Sequence, residues 1–127
     1  MAVSNNKLTY HFAAAEDLSD AVAGTGALYK AVSNTDKKIA NTSAEASGLL
    51  CQGGESGQHV GYTFQGIEKF VAGGAVAAGK NLAVTTSGYI TQAASGDFAI
   101  GQNTEAAVTS GSVGTGIFNF SAAALIN

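Results

Sequence analysis

The chain has no proline, no tryptophan and no arginine, and a single cysteine in 127 residues. Charged side chains make up 12% of it, against roughly 25% in an average soluble domain. Each shortage excludes something. Without arginine, and with a net charge of −3, the chain lacks the clustered basic charge that nucleic acid requires. Cys51 alone can form neither an internal disulfide nor a multi-cysteine zinc site. No run of 18 apolar residues is present to make a helical membrane span. Sparse charge with many turn formers argues against a coiled coil. The absence of proline removes one device that blunts sheet edges, so a neighbouring subunit is expected to cover them. Residues 1–7 lack a charged stretch followed by an apolar one, so no secretory signal is expected and synthesis is expected in a cytoplasm.

What is present is small. Glycine (17), alanine (24), serine (11) and threonine (11) make up about half the chain. Valine, isoleucine, leucine and phenylalanine number 28, so the core of one domain must be built from few large side chains. The surface is then small, neutral and weakly hydrated, which suits burial in an assembly better than a free monomer.

The pattern along the chain is strand and turn. Leu8, Tyr10 and Phe12 alternate with Thr9 and His11, which predicts a half-buried strand or an extended arm over residues 1–12. Ala14, Leu18, Ala21 and Val22 share one helical face, and Gly24 offers a stop, so one short helix is expected over 13–23, with an irregular loop as the alternative. Short strands are expected at 28–32, 38–40 and 48–52. Residues 59–64 and 67–72 are expected to pair as a hairpin across Gly66. A cadence of β-formers and glycine turns then runs through 82–86, 89–93, 98–100 and 113–120. Such spacing predicts an all-β sandwich or barrel-like domain over 13–127.

Candidate chemistry is thin. Gly74-Ala75-Val76-Ala77-Ala78-Gly79-Lys80 has the spacing of a phosphate-binding loop. Such a loop continues with Ser or Thr, which meets Mg²⁺, and opens a helix that faces the phosphate. Here Asn81 follows, and residues 82–86 are strand-like, so a turn is expected with Lys80 in solvent. His11, His59, Cys51 and Glu55 are too scattered for a metal site. Cys51 is expected to be a buried small hydrophobe. Glu45, Glu55, Glu68, Asp97 and Glu105 offer carboxylates without a pairing pattern, and no histidine lies in a nucleophile motif. No enzyme activity, catalytic residue, metal, cofactor or small-molecule substrate is expected. Tyr29, Tyr62 and Tyr89 are the candidates to present a ring edge to a glycan, although strand positions assign most aromatics to the core.

Residues 66–101 read GIEKFVAGGAVAAGKNLAVTTSGYITQAASGDFAIG. This block resembles small capsid decoration (cement) proteins of tailed bacteriophages. Those carry a GG-x-(V/I)-x-x-G-x-x-L-x-V stretch, then x-G-x-(I/V/A), then S-G-D-x-x-(I/V)-G. Glu105-Ala106-Ala107 and Ser110-Gly111 fall where such chains carry their last turns. The resemblance covers about 35–120, while the N-terminal third and Gln102 depart from it. It implies a β-tulip type domain that forms a homotrimer on the outer surface of the virion head and binds the major capsid protein. It also implies that the N-terminal segment acts as an arm adding a strand to the capsid sheet, with Leu8, Tyr10 and Phe12 as its anchors. A receptor- or glycan-binding module of a head spike or fibre is the alternative.

Overall fold

The computed structural model describes residues 7–19, 26–104, 108–122 and 124–125. Its strands are β1 (Lys7–Ala13), β2 (Ala31–Ser33), β3 (Lys38–Ile39), β4 (Gly48–Gln52), β5 (His59–Val71), β6 (Asn81–Val84), β7 (Ile90–Gln92), β8 (Phe98–Ala99), β9 (Gly101–Asn103), β10 (Val113–Asn119) and β11 (Ala124–Leu125). Nine form one sheet in the order β3-β2-β4-β5-β10-β9-β6-β7, with β1 also paired to β5. β8 and β11 make a separate two-stranded ladder. All of these pairings are antiparallel, and the sheet curls into a half-barrel. The all-β class expected from the sequence is the class observed.

Alternation sends successive side chains to opposite faces, and at β2 and the start of β4 both faces are covered. Ala31 and Leu49 enter one apolar cluster with Phe70, Leu82, Ile90 and Phe118. Val32 and Leu50 enter a second with Phe12, Leu18, Val60 and Tyr62. That is why Leu49-Leu50 reads as a continuous apolar pair. In the larger cluster, Phe70 meets Phe118 edge-on at 5.9 Å, and Phe118 stacks on Phe120 at 5.8 Å.

Two expectations need correction. Residues 59–72 do not fold back on themselves. His59–Val71 is one 13-residue strand, β5, with Gly66 inside it at φ +115°. Glycine supplies a backbone conformation that side-chain-bearing residues rarely adopt, and here the result is a kink within a strand. The strand continues because β10 pairs with it from Gln65 to Val71, while β1 pairs with it from His59 to Gly66.

The expected helix is also absent from residues 14–19, and the remainder of that stretch at 20–25 lies outside the described residues. The backbone there hydrogen-bonds across to another loop. Ala14 N–H donates to the Gln58 carbonyl (2.9 Å), and Gly57 N–H donates to the Ala14 carbonyl (2.7 Å). Leu18 and Gly54 exchange both of their backbone bonds. Burial of Ala14 and Leu18 in the second cluster overrides helix propensity. The helical segments among the described residues are two 3-10 turns, Thr86–Gly88 and Phe120–Ala122.

Candidate functional site

The candidate site is a surface. Along β10, Gly114, Gly116 and Phe118 are buried, while Val113 and Ile117 alternate with them and are exposed. Residues directly opposite in a ladder share a face. Ile117 opposes Ile67, Thr115 opposes Lys69, and Val113 opposes Val71. Gln102 lies beyond Ile117, and Asn81 beyond Gln102. The result is a row of Ile67, Ile117, Gln102 and Asn81 across four strands. Ile117 is 52% exposed, Val113 47% and Ile67 45%, which makes an apolar stripe on an open sheet face.

Lys69 is the charge within this stripe. Its ammonium sits 5.7 Å from the ring of Tyr29, and that of Lys30 sits 4.5 Å from the ring of Tyr89. Tyr29 holds a left-handed backbone at φ +66°, an outlier for a bulky residue. Two bonds fix it there: its N–H donates to the Leu50 carbonyl (2.7 Å), and its carbonyl accepts from Val71 N–H (3.2 Å). These bonds tie Tyr29 to β4 and to the end of β5.

The three arm residues divide. Leu8 is 51% exposed and Tyr10 57%, whereas Phe12 is buried against Tyr62 at 5.7 Å between ring centroids. A register shift between Leu8 and Thr9 breaks the simple alternation. Lys7–Ala13 is a strand paired with β5 of its own chain, and residues 1–6 lie outside the described residues.

Glu68 is a buried carboxylate on β5. One oxygen accepts from Lys7 Nζ (2.9 Å) and from the Thr63 hydroxyl (2.7 Å), and the other accepts from Lys69 N–H (2.9 Å). It is an anchor for the start of β1, not half of a carboxylate pair. The Glu68 hydrogen bond raises the Lys7 ammonium above its ordinary pKa of 10.5, against the opposing effect of partial burial. Burial likewise raises the Tyr62 hydroxyl above its ordinary 10.0. Both groups hold their protons more tightly folded than unfolded. The stability they contribute is complete below about pH 10 and is lost as pH rises through their folded values. Thermal melts between pH 9 and 12 are expected to show a falling midpoint above about pH 10. Lys7→Met with Tyr62→Phe should flatten that fall.

The other sequence candidates are placed as follows. Residues 74–80 run into strand β6 without a helix. Loop groups there are already bonded, with Ala77 N–H donating to Gln92 (3.1 Å) and the Gly79 carbonyl accepting from Gln102 (2.8 Å). Buried Asn103 holds the Ala77 carbonyl at 3.2 Å. His11 lies over Gly61 and His59 opposes Ala13 at the end of β1, and Cys51 is half-buried. The described residues contain no group of three His, Cys, Asp or Glu able to hold a metal. Tyr62 is buried, while Tyr29 and Tyr89 are half-buried beneath their lysines. Glu105 lies outside the described residues.

With this geometry in place, the fold has a solved counterpart. It is similar to the head fiber gp8.5 N base in bacteriophage phi29, with a TM-score of 0.65. The likeness covers 89% of this chain and 94% of that chain at 12% sequence identity, and it establishes the fold. No family model and no curated protein matches the sequence.

Sequence reading missed Ile67, Val113 and Ile117. A signal was there: Ile117 adjoins Phe118, so one strand carries apolar side chains in both phases. Only one phase can enter the core on one side of the strand, and the other is left on the surface.

Proposed function

We propose that the protein is a non-enzymatic structural component of a phage virion, a decoration protein on the outer surface of the head. It binds there as a homotrimer and cements neighbouring major capsid proteins. The observation that carries this reading is the fold it shares with the phi29 head fiber base over nearly the whole of that chain. The resemblance of residues 66–101 to cement proteins supports it independently. An open, nearly uncharged sheet face suits contact with protein. A protein that binds the assembled shell but not its separated subunits stabilises the shell by mass action, by about 2.7 kcal/mol per site at a hundred times the dissociation constant.

Purified heads of the phage that encodes it, heated with and without the protein, test this. Decorated heads should bind it at saturable stoichiometry and release DNA at a higher temperature. Heads that neither bind it nor resist heat better would sink the reading. The arm residues give a finer expectation. Leu8→Asp with Tyr10→Ala should weaken head binding at least about tenfold while costing about 1.5 kcal/mol of folding stability or less, since both side chains are exposed and Tyr10 loses an edge-on contact with Tyr62. Phe12→Ala should instead lower folding stability, because Phe12 belongs to the chain's own core.

A second reading is a receptor- or glycan-binding module of a head spike or fibre. The neighbour's being a head fiber base favours it, as do the lysine-capped rings of Tyr29 and Tyr89. Binding on a glycan array that is lost in Tyr89→Ala, without affinity for heads, would select it over cementing.

A further inference from the structure

We infer that the outer face of β5 and β10 docks onto a second copy of this chain, at the acidic apolar cleft beside β8. This rests on the proposal that the chain self-assembles, and adds which surfaces meet. The first surface carries Ile67, Val113 and Ile117, with Lys69 as its charge. The second is an open cleft between β8 and residues 42–44, lined by Ala44, Val84, Asp97 and Phe98. Phe98 is 42% exposed there, Glu45 stands exposed beside Ala44, and no lysine lines the cleft. The first surface thus pairs three exposed aliphatic side chains with a lysine, and the second pairs the exposed Phe98 ring with Asp97 in the cleft and Glu45 at its edge, so the charges are opposite.

That opposition decides the symmetry of the contact. A two-fold pairing of the first surface with itself would bring two lysine-bearing faces together with no exposed carboxylate on either, because Glu68 is buried and bonded to Lys7. Like charges at an interface are repelled, while opposite charges fix orientation and register. The favourable arrangement places the β5–β10 face of one copy on the β8 cleft of the next. Such a head-to-tail contact closes into a ring when its rotation allows, each copy using both surfaces once.

Light scattering on the full chain at low salt, across a concentration series, tests the pairing, with circular dichroism to show that each variant is folded. Ile117→Asp should give a folded monomer. Lys69→Glu and Glu45→Lys should each raise the dissociation constant at least about tenfold. Lys69→Glu and Glu45→Lys combined in one chain should recover most of that loss, since every contact then carries the reversed pair. An oligomer that survives both Ile117→Asp and Lys69→Glu would overturn the assignment of this face while leaving self-assembly standing. Failure of the combined variant to recover would overturn the pairing with the β8 cleft. A wild-type chain that stays monomeric at every concentration, and on heads, would overturn self-assembly itself.

Discussion

Phe118→Ala is expected to lower the melting temperature by about 10–20 °C. Phe118 is 1% exposed and lies in the larger core cluster. It sits between Phe70, edge-on at 5.9 Å, and Phe120, stacked at 5.8 Å. Truncation forfeits the transfer free energy of the ring and leaves a cavity, together about 3–5 kcal/mol. The cavity cannot collapse easily, because Phe70 lies in β5 and ladders hold β10 on both sides. A chain with few large apolar residues has nothing to compensate with, since total stability of a domain this size is about 5–15 kcal/mol. Calorimetry checks the prediction. Ile117→Ala, one position away but half-exposed, should cost about 1 kcal/mol or less.

The same neighbours show how far the sequence was legible. β4 was readable almost to the residue, because Gly48-Leu49-Leu50 is a short apolar run with a glycine-rich loop after it. β10 was readable from Val113-Gly-Thr-Gly-Ile-Phe-Asn. β9 was not, since Gly101-Gln102-Asn103 has no β-forming residue and owes its strand to β10 and β6 on either side. Gly66 was read as a turn because a glycine between two apolar runs is a break in both a hairpin and a kinked strand. Only the partners decide, and they are distant in sequence: Lys7 and Phe118 both oppose Gly66. The alanine-rich start of the loop after β1 follows the same logic. Ala14 and Leu18 were recognisable as buried positions, but their backbone bonds go to Gly54, Gly57 and Gln58, which no local period reveals.

The candidate surface was less legible than the fold. Leu8, Tyr10 and Phe12 suggested one anchoring face, yet the register shift after Leu8 and the pull of Tyr62 separate Phe12 from the other two. Glu68 offered itself as a spare acid, and its role became visible only with Lys7 and Thr63 beside it. Lack of charge was the sequence feature that directed attention to the surface. Where few charges exist, the one lysine in an apolar stripe and Asp97 beside an exposed Phe98 are features that only the fold brings into view.

Gly101→Ala is expected to cost about 2–3 kcal/mol, although it adds a single methyl group. A Cβ at this position would lie 2.5 Å from the Ile117 carbonyl oxygen and 2.6 Å from Phe118 Cδ1. Neither can give way cheaply, because Ile117 and Phe118 are the ladder partners of β9 and Phe118 fills the core. Glycine is therefore required here by close approach, in the middle of a sheet, where the sequence suggested a turn. Gly116 repeats the arrangement across the ladder, with its Cβ position 2.9 Å from the Gln102 oxygen and 3.0 Å from Phe118 Cε2. A glycine whose requirement is only conformational makes the control. Gly57 has φ +89° with nothing within 4 Å, so Gly57→Ala should cost about 1–2 kcal/mol from backbone strain alone. Denaturant melts of the two variants separate the causes. Gly101→Ala combined with Phe118→Leu should lose less than the sum of the single changes, because the smaller side chain removes part of the clash, whereas Gly57→Ala combined with Phe118→Leu should be additive. Additivity in both pairs would mean that the Phe118 ring does not set the requirement for glycine at position 101.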